Sequence, residues 1–274
     1  METFFTFLEK RVDDSSSLLC IGLDPHTNDL PEPTADSARD FCLNLVKQTS
    51  RYAAAYKPNA AFFEVFGAEG WTALKDVIDA IKEESKRMGS MIPIILDAKR
   101  GDIPSTGEAY AKSIFETLGA DCTTLNPYLG KDSIEPFIRN QEKGIFLLCK
   151  TSNPGSGDLQ DLILESGDPL HVHVAKLAQT WNTKNNIGLV VGATHIDAMQ
   201  RIRAAAPDLW FLVLGVGAQG ADLESALKVG LRKDGKGMLI SVSRSVARAA
   251  KPGVAAAELR DEILAIRSSK IANR

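Results

Sequence analysis

The sequence has few cysteines, no surplus of basic residues and no long hydrophobic segment. Its four cysteines, Cys20, Cys42, Cys122 and Cys149, are too far apart for a zinc knuckle or a redox pair. We therefore expect reduced, buried thiols. The formal net charge of -3 gives no indication of a nucleic-acid partner, although a single basic pocket remains compatible with it.

Features of membrane proteins and of secreted proteins are also missing. No apolar segment approaches the roughly 18 residues that a membrane span requires. The first residues are only partly apolar, include Glu2 and lead directly into charged residues, which is not typical of a signal peptide. The sequence predicts a soluble, cytoplasmic protein that associates with neither membrane nor nucleic acid.

What the sequence does contain is a regular alternation of short apolar segments with longer amphipathic ones. The apolar segments are rich in Val, Ile and Leu and lack a period of two, which is typical of parallel strands buried on both faces. The predicted strands are Leu18–Asp24, Ala54–Phe62, Ile92–Lys99, Cys122–Pro127, Gly144–Thr151, Gly188–Ala193, Trp210–Gly215 and Met238–Ser243.

The segments between the strands have the periodicity of helices. In Asp36–Arg51, Trp71–Met88 and Gly253–Ser269 the apolar residues recur on one helical face. An extra helix is predicted at Thr3–Val12, where it would cap the bottom of a barrel. Eight strands, each followed by a helix, predict an α/β fold, a single-domain (β/α)8 TIM barrel over residues 1–274. An open doubly wound sheet is the alternative.

Polar residues directly follow most of the predicted strands. In (β/α)8 barrels the chemistry takes place at the carboxyl ends of the strands. Charged groups buried there without partners would cost several kcal/mol, so we expect them to converge on one polar site and to pair. These residues are Asp24, Lys57, Asp97, Lys99, Asn126, Ser152, His195, Gln219 and Arg244.

The most specific motif is the segment Asp97–Asp102, with the sequence DAKRGD. Residues two apart on a strand share a face, so Asp97 and Lys99 project together. Lys57 ends the preceding strand, and Asp102 follows a glycine at which the chain can turn back. We predict a network of alternating charge formed by Lys57, Asp97, Lys99 and Asp102. A solvated salt bridge in a loop is the alternative.

Together with the segment Gly22–Pro25 (GLDP), these residues resemble the orotidine 5'-monophosphate decarboxylase family. The segments Lys150–Gly155 (KTSNPG) and Gly215–Gly220 (GVGAQG) resemble its longer sequence subgroup, and the likeness extends from the first strand to Arg244. The resemblance implies decarboxylation of orotidine monophosphate to uridine monophosphate in pyrimidine synthesis. It also implies a homodimer with a shared active site and no metal or organic cofactor.

The resemblance implies catalytic roles for four charged residues. Asp97 would lie beside the substrate carboxylate, Lys99 would donate a proton, and Lys57 would assist Asp24 in holding a ribose hydroxyl. Asp102 would complete the charge network from the partner subunit. The chemistry fits, because a fixed ammonium can stabilise the ring carbanion left by loss of carbon dioxide and then protonate it.

The remaining implied roles concern substrate binding. Thr106 would come from the partner subunit, Ser152 would hydrogen-bond the pyrimidine, and Gln219 and Arg244 would bind the phosphate. Phosphate sites after strands seven and eight are common in barrels.

Other interpretations remain open on the residues alone. The segment Gly215–Gly220 also fits a dinucleotide-binding pattern, although only one strand follows it, and its glycines fit a plain tight turn. His171 and His173 point to different faces of a helix, and we expect a surface role rather than metal binding. A metal-dependent sugar-phosphate enzyme, a Schiff-base aldolase and a nucleotide-binding module without turnover are the functional alternatives.

Overall fold

The computed structural model describes residues 2–216 and 222–272. Its strands form one parallel sheet in which neighbours follow the order β2-β1-β8-β7-β6-β5-β4-β3. Each of the eight predicted apolar segments overlaps one strand, and most of the strands are shorter than the segments. The strands are β1 (Leu19–Leu23), β2 (Ala55–Pro58), β3 (Ile95–Arg100), β4 (Cys122–Leu125), β5 (Gly144–Lys150), β6 (Ile187–Gly192), β7 (Phe211–Leu214) and β8 (Met238–Val242).

The sheet closes on itself between its two outer strands, β2 and β3. Tyr56 forms a parallel bridge with Ile94, and Asn59 forms one with Asp97. The backbone N–H of Tyr56 also donates to the carbonyl of Pro93 at 3.0 Å. These contacts make a nearly closed barrel, which confirms the (β/α)8 fold and rules out the open doubly wound sheet. The single-domain organisation over residues 1–274 stays a prediction.

Helices surround the sheet and connect its strands. Their apolar faces pack on the barrel, as their periodicity predicts. After α5 the chain continues as a π-helical turn, Ser113–Leu118. The helices are α1 (Phe4–Ser15), α2 (Ala35–Thr49), α3 (Ala61–Glu64), α4 (Gly67–Met88), α5 (Pro104–Lys112), α6 (Glu135–Ile138), α7 (Gly157–Gln160), α8 (Leu170–Trp181), α9 (Ile196–Ala205), α10 (Leu223–Gly230), α11 (Arg244–Ala247) and α12 (Pro252–Ala272).

The second strand is shorter than predicted. Ala54–Phe62 was expected to be extended, but β2 ends at Pro58 and α3 begins at Ala61. Pro58 has no N–H to donate to a ladder. The side chain of Asn59 accepts from the N–H of Ala61 at 3.2 Å, which starts the turn into the helix.

The predicted N-terminal helix closes the amino-terminal end of the barrel. In α1, the ring of Phe5 stacks on Trp210 at 6.0 Å and meets Phe146 edge to face at 5.6 Å. A Cβ added to Gly144 would lie 2.2 Å from the ring of Phe4, so only glycine admits this contact. Because the helix fills one end, the open cleft lies at the other end, where the strands terminate.

The four cysteines are free thiols and buried, as predicted. Burial raises the pKa of the Cys20 thiol to about 12, which keeps it protonated and unreactive. Among the described residues, none of the helices combines the length and the apolar character that crossing a bilayer requires.

Candidate active site

Two lysines hold one aspartate between them at the carboxyl ends of β2 and β3. Nζ of Lys57 donates to Oδ2 of Asp97 at 2.8 Å, and Nζ of Lys99 donates to Oδ1 at 2.6 Å. The side chains of Lys57 and Asp97 are only 4% and 5% exposed, whereas that of Lys99 is 46% exposed. One ammonium is therefore locked in the floor of the barrel mouth, and the other can meet a bound molecule.

The charges in this group stabilise one another. Burial favours the neutral form of Lys57, but attraction to Asp97 and Asp24 is stronger and raises its pKa above the ordinary value. Burial likewise favours the neutral form of Asp97, but Lys57 and Lys99 outweigh it and hold its pKa well below the usual range. Asp97 and Lys57 therefore stay charged at neutral pH.

The backbone places Lys99 in an uncommon conformation. Its φ of 47° lies in the left-handed region, which costs an L-residue roughly 1–2 kcal/mol. The hydroxyl of Thr124 in β4 stabilises this turn, because it accepts from the N–H groups of Ala98 and Lys99 at 3.1 and 3.0 Å. The same hydroxyl donates to Oδ1 of Asp97 at 2.9 Å. Thr124 was missed by the sequence analysis; a hydroxyl inside an otherwise apolar strand was the available signal.

The charged group opens into a cleft of about 390 Å³ at the carboxyl end of the barrel. A cleft of this size suits a small molecule. Further lining comes from His26, Asn59 and Phe62, with the ring of His26 packed edge to face on Phe62 at 4.3 Å. The predicted site residues that line the cleft are Asp24, Lys57, Asp97, Ser152 and Arg244.

Asp24 brings an unsatisfied oxygen to the cleft. Its Oδ1 is buried and has no hydrogen-bond partner among the described residues. Such a group costs about 1–3 kcal/mol, a cost that a hydroxyl donated by a ligand would remove. Gly22 makes this placement possible, since a Cβ there would lie 2.9 Å from Cβ of Ser243 and 3.1 Å from Oδ2 of Asp24.

Ser152 and Arg244 line other parts of the cleft. Ser152 follows β5 and crosses the end of β6, where a Cβ on Gly192 would lie 3.0 Å from its backbone. Arg244 begins the short helix α11 after β8, and its exposed side chain has no ion-pair partner within residues 2–216 and 222–272. An uncompensated guanidinium at a cleft favours an anionic ligand.

Several predicted site residues do not line the cleft that the described residues form. Lys99 is one of them, although its Nζ contacts Asp97, which does line the cleft. Oδ1 of Asp102 accepts from the N–H of Ile103 at 2.7 Å, and neither Asp102 nor Thr106 lines the cleft. The expected four-membered charge network is therefore a three-membered one within a single chain. Gln219 lies outside the described residues. His195 directly precedes α9 and does not line the cleft that the described residues form.

A parallel barrel with a charged cleft at the carboxyl ends of its strands defines a (β/α)8-barrel enzyme for a small polar molecule. The family described as orotidine 5'-phosphate decarboxylase / HUMPS matches residues 17–259. The chain belongs to this family.

Individual relatives cover nearly the whole chain. It is 48% identical to the orotidine 5'-phosphate decarboxylase of Roseiflexus castenholzii over 271 residues, which are 95% of this chain and 97% of the relative. It superposes on Leishmania donovani OMP decarboxylase with a TM-score of 0.88 at 52% identity, covering 97% and 99% of the two chains. For Leishmania donovani UMP synthase the TM-score is 0.90 at 53% identity, over 97% of this chain but 57% of the synthase. The chain is thus an enzyme of the carboxy-lyase class.

Proposed function

We propose that this enzyme decarboxylates orotidine 5'-monophosphate to uridine 5'-monophosphate, a step of pyrimidine nucleotide synthesis. The observation that carries the proposal is the group Lys57, Asp97 and Lys99 at a cleft that also presents Asp24, Ser152 and Arg244. The names of the relatives support the same substrate.

The proposal places each part of the substrate against a group of matching chemistry. The phosphate would lie at Arg244, with Gln219 as a further contact, and the ribose hydroxyls at Asp24, whose Oδ1 needs a donor. The pyrimidine would accept or donate a hydrogen bond at Ser152. This orientation directs the carboxylate on the ring toward the two lysines and Asp97.

In the reaction, the bond between C6 of the pyrimidine and its carboxylate breaks, and carbon dioxide leaves. The electron pair remains on C6 in the plane of the ring, where delocalisation is poor. The ammonium of Lys99 stabilises this pair and then donates its proton to C6, and solvent returns a proton to the lysine. Lys99 is suited to this step because its side chain is half exposed while Asp97 holds its Nζ.

Asp97 supplies a fixed negative charge beside the substrate carboxylate. Two like unit charges about 4 Å apart repel by about 4 kcal/mol at an effective dielectric constant of 20. This repulsion between Asp97 and the substrate carboxylate ends when the carboxylate leaves as uncharged carbon dioxide. Lys57 and Thr124 keep Asp97 in place, so the carboxylate cannot turn away. Binding energy from the phosphate holds the substrate in this unfavourable contact.

We further propose a homodimer in which Asp102 and Thr106 reach the partner's cleft. Asp102 lies two residues after the end of β3 but has no cationic partner among the described residues of its own chain. Beside it, Ile103 and Tyr128 are large apolar side chains exposed on neighbouring loops, which favours a covering surface.

Hybrid dimers test this arrangement. Lys99→Ala and Asp102→Ala chains, each inactive alone, regain activity when mixed, because half of the dimers are hybrids and one site in each hybrid is intact. About a quarter of the wild-type activity should return. Mixtures that stay inactive although the subunits exchange would contradict the shared site.

The reaction itself is tested with chelator-treated protein and orotidine 5'-monophosphate, followed by the ultraviolet change of decarboxylation. We expect rapid loss of substrate without added metal. Turnover that requires a divalent metal would favour the sugar-phosphate enzymes, and trapping by borohydride would favour an aldolase. Tight binding of uridine monophosphate without turnover would identify a binding module.

A further inference from the structure

A second buried lysine lies at the carboxyl end of β5, next to the cleft. Lys150 is 2% exposed, and its Nζ donates to both carboxylate oxygens of Asp161 at 2.8 Å and to Oγ of Ser156 at 3.2 Å. Ser156 and Asp161 belong to the loop, residues 153–168, that follows Ser152. Lys150, the last residue of β5, therefore attaches the loop 153–168 to the end of the strand.

Gln160 makes a second attachment on the same loop. The N–H of Thr151 donates to Oε1 of Gln160 at 2.9 Å, and Nε2 of Gln160 donates to the Thr151 hydroxyl at 2.9 Å. That hydroxyl donates in turn to Oδ1 of Asn153 at 2.6 Å. Ser152 lies between these two anchored neighbours, so its backbone is fixed on both sides.

His171 in α8 supports the loop from behind. Its Nδ1 is 2.8 Å from the carbonyl oxygen of Gln160 and 3.3 Å from Oδ1 of Asp161. The expectation of a surface role is wrong, because the side chain is buried. Burial lowers the pKa of His171, so the neutral ring is favoured and Nδ1–H donates to the carbonyl.

Polar contacts, rather than apolar packing, attach this loop. Three of its four large apolar residues, Leu159, Leu162 and Ile163, are 56%, 52% and 67% exposed, and the fourth, Leu164, is partly buried. A buried lysine is costly to desolvate, and an apolar residue would pack more cheaply at the end of β5. Because Lys150 does not make the protein more stable than an apolar residue would, its charge favours a role in fixing the position of the loop.

We propose that Lys150, Asp161, Gln160 and His171 are positioning residues that hold Ser152 against the pyrimidine ring. The inference rests on the proposed function, since it assumes that a pyrimidine nucleotide occupies the cleft. None of the four touches the reacting atoms; they act through Ser152.

The test measures the effects of Lys150→Met and of Asp161→Ala twice, once in the wild-type enzyme and once in a Ser152→Ala background. Each change should lower kcat/KM for orotidine monophosphate by about tenfold to a hundredfold, the size of effect that misplacing a substrate contact produces. In a Ser152→Ala background the same changes should have less than about a twofold further effect, because the contact they position is gone. Affinity for uridine monophosphate should fall in parallel, while affinity for ribose 5-phosphate, which lacks the ring, should not.

Lys143→Met is the matched control. Lys143 directly precedes the amino-terminal end of β5, which is remote from the cleft, and its Nζ lies 3.4 Å from Oδ1 of Asp121. Removing this ammonium should leave kcat/KM unchanged. Should Lys150→Met fail to fold, Gln160→Ala carries the test, because it removes the attachment to Thr151 and leaves no buried charge without a counter-ion.

Equal losses with and without Ser152, or a loss no larger than that of the control, would overturn the inference while wild-type turnover upholds the proposed function. Absence of wild-type turnover would overturn the proposed function instead. In that case the affinities of the Lys150→Met and Asp161→Ala variants for uridine monophosphate and for ribose 5-phosphate decide the inference. An equal loss of affinity for the two ligands would overturn it.

Discussion

Replacing Thr124 by valine removes one buried hydroxyl and keeps nearly the same side-chain volume. That hydroxyl takes part in three hydrogen bonds, one to Oδ1 of Asp97 and two from the N–H groups of Ala98 and Lys99. At a net value of about 1 kcal/mol each, their loss should lower the free energy of unfolding by about 2–4 kcal/mol. A domain of ordinary stability, about 5–15 kcal/mol, would remain folded.

The same substitution should damage catalysis more than stability alone explains. The left-handed turn at Lys99 loses both of its side-chain acceptor contacts, and Asp97 loses a restraint. Because displacements of about 1 Å cost up to about a hundredfold in rate, we expect kcat to fall by about tenfold to a hundredfold. Initial rates from the ultraviolet assay and urea unfolding curves measure the two effects on the same preparation.

The neighbouring residue supplies the control. Thr123 is also fully buried in β4, but its hydroxyl donates to the carbonyl of Leu96 and touches neither Asp97 nor Lys99. Thr123→Val should therefore lose about 1 kcal/mol of stability and retain its kcat. If Thr124→Val turns over substrate as fast as Thr123→Val, the role assigned to the Thr124 hydroxyl is refuted.

Three other predictions concern binding and pH. Asp24→Ala should weaken uridine monophosphate binding about tenfold to a hundredfold, because the ribose loses its acceptor. Its melting temperature should change little, since removal of an unpaired buried oxygen offsets the lost attraction between Asp24 and Lys57; calorimetry of both properties checks this. Arg244→Ala should raise KM for orotidine monophosphate and leave turnover of orotidine, which lacks the phosphate, unaffected. Unfolding measured against pH should show the stabilisation from Asp97 present above its ordinary pKa of 3.8 and lost as pH falls through the lowered folded pKa. The stabilisation from Lys57 should persist below 10.5 and be lost as pH rises through its raised folded pKa.

Much of the barrel follows from local patterns in the sequence. Strands buried on both faces need continuous apolar segments, and the helices that cover them need one apolar face, so both leave a periodic signal. The end of β2 was missed because the residues after Pro58 are as apolar as the strand itself. The proline and the turn-forming Asn59 carried the only signal of an ending there.

The site was predictable where its residues are adjacent in sequence. Asp97 and Lys99 are two residues apart, a spacing that predicts a contact between their side chains, and that contact is present. The role of Thr124 depends on the register between two strands and on a left-handed turn at Lys99, neither of which the sequence displays. The burial of His171 likewise depends on how the loop 153–168 folds back.

The central claim is that the ammonium of Lys99 protonates the ring carbon, and Lys99→Ala tests it most directly. Turnover of orotidine monophosphate and affinity for uridine monophosphate are measured for this variant beside the wild type. We predict that turnover falls by about 10²–10⁴-fold or more while the nucleotide still binds within about tenfold of the wild-type affinity. Turnover within tenfold of the wild type would contradict the assignment of Lys99 as the proton donor.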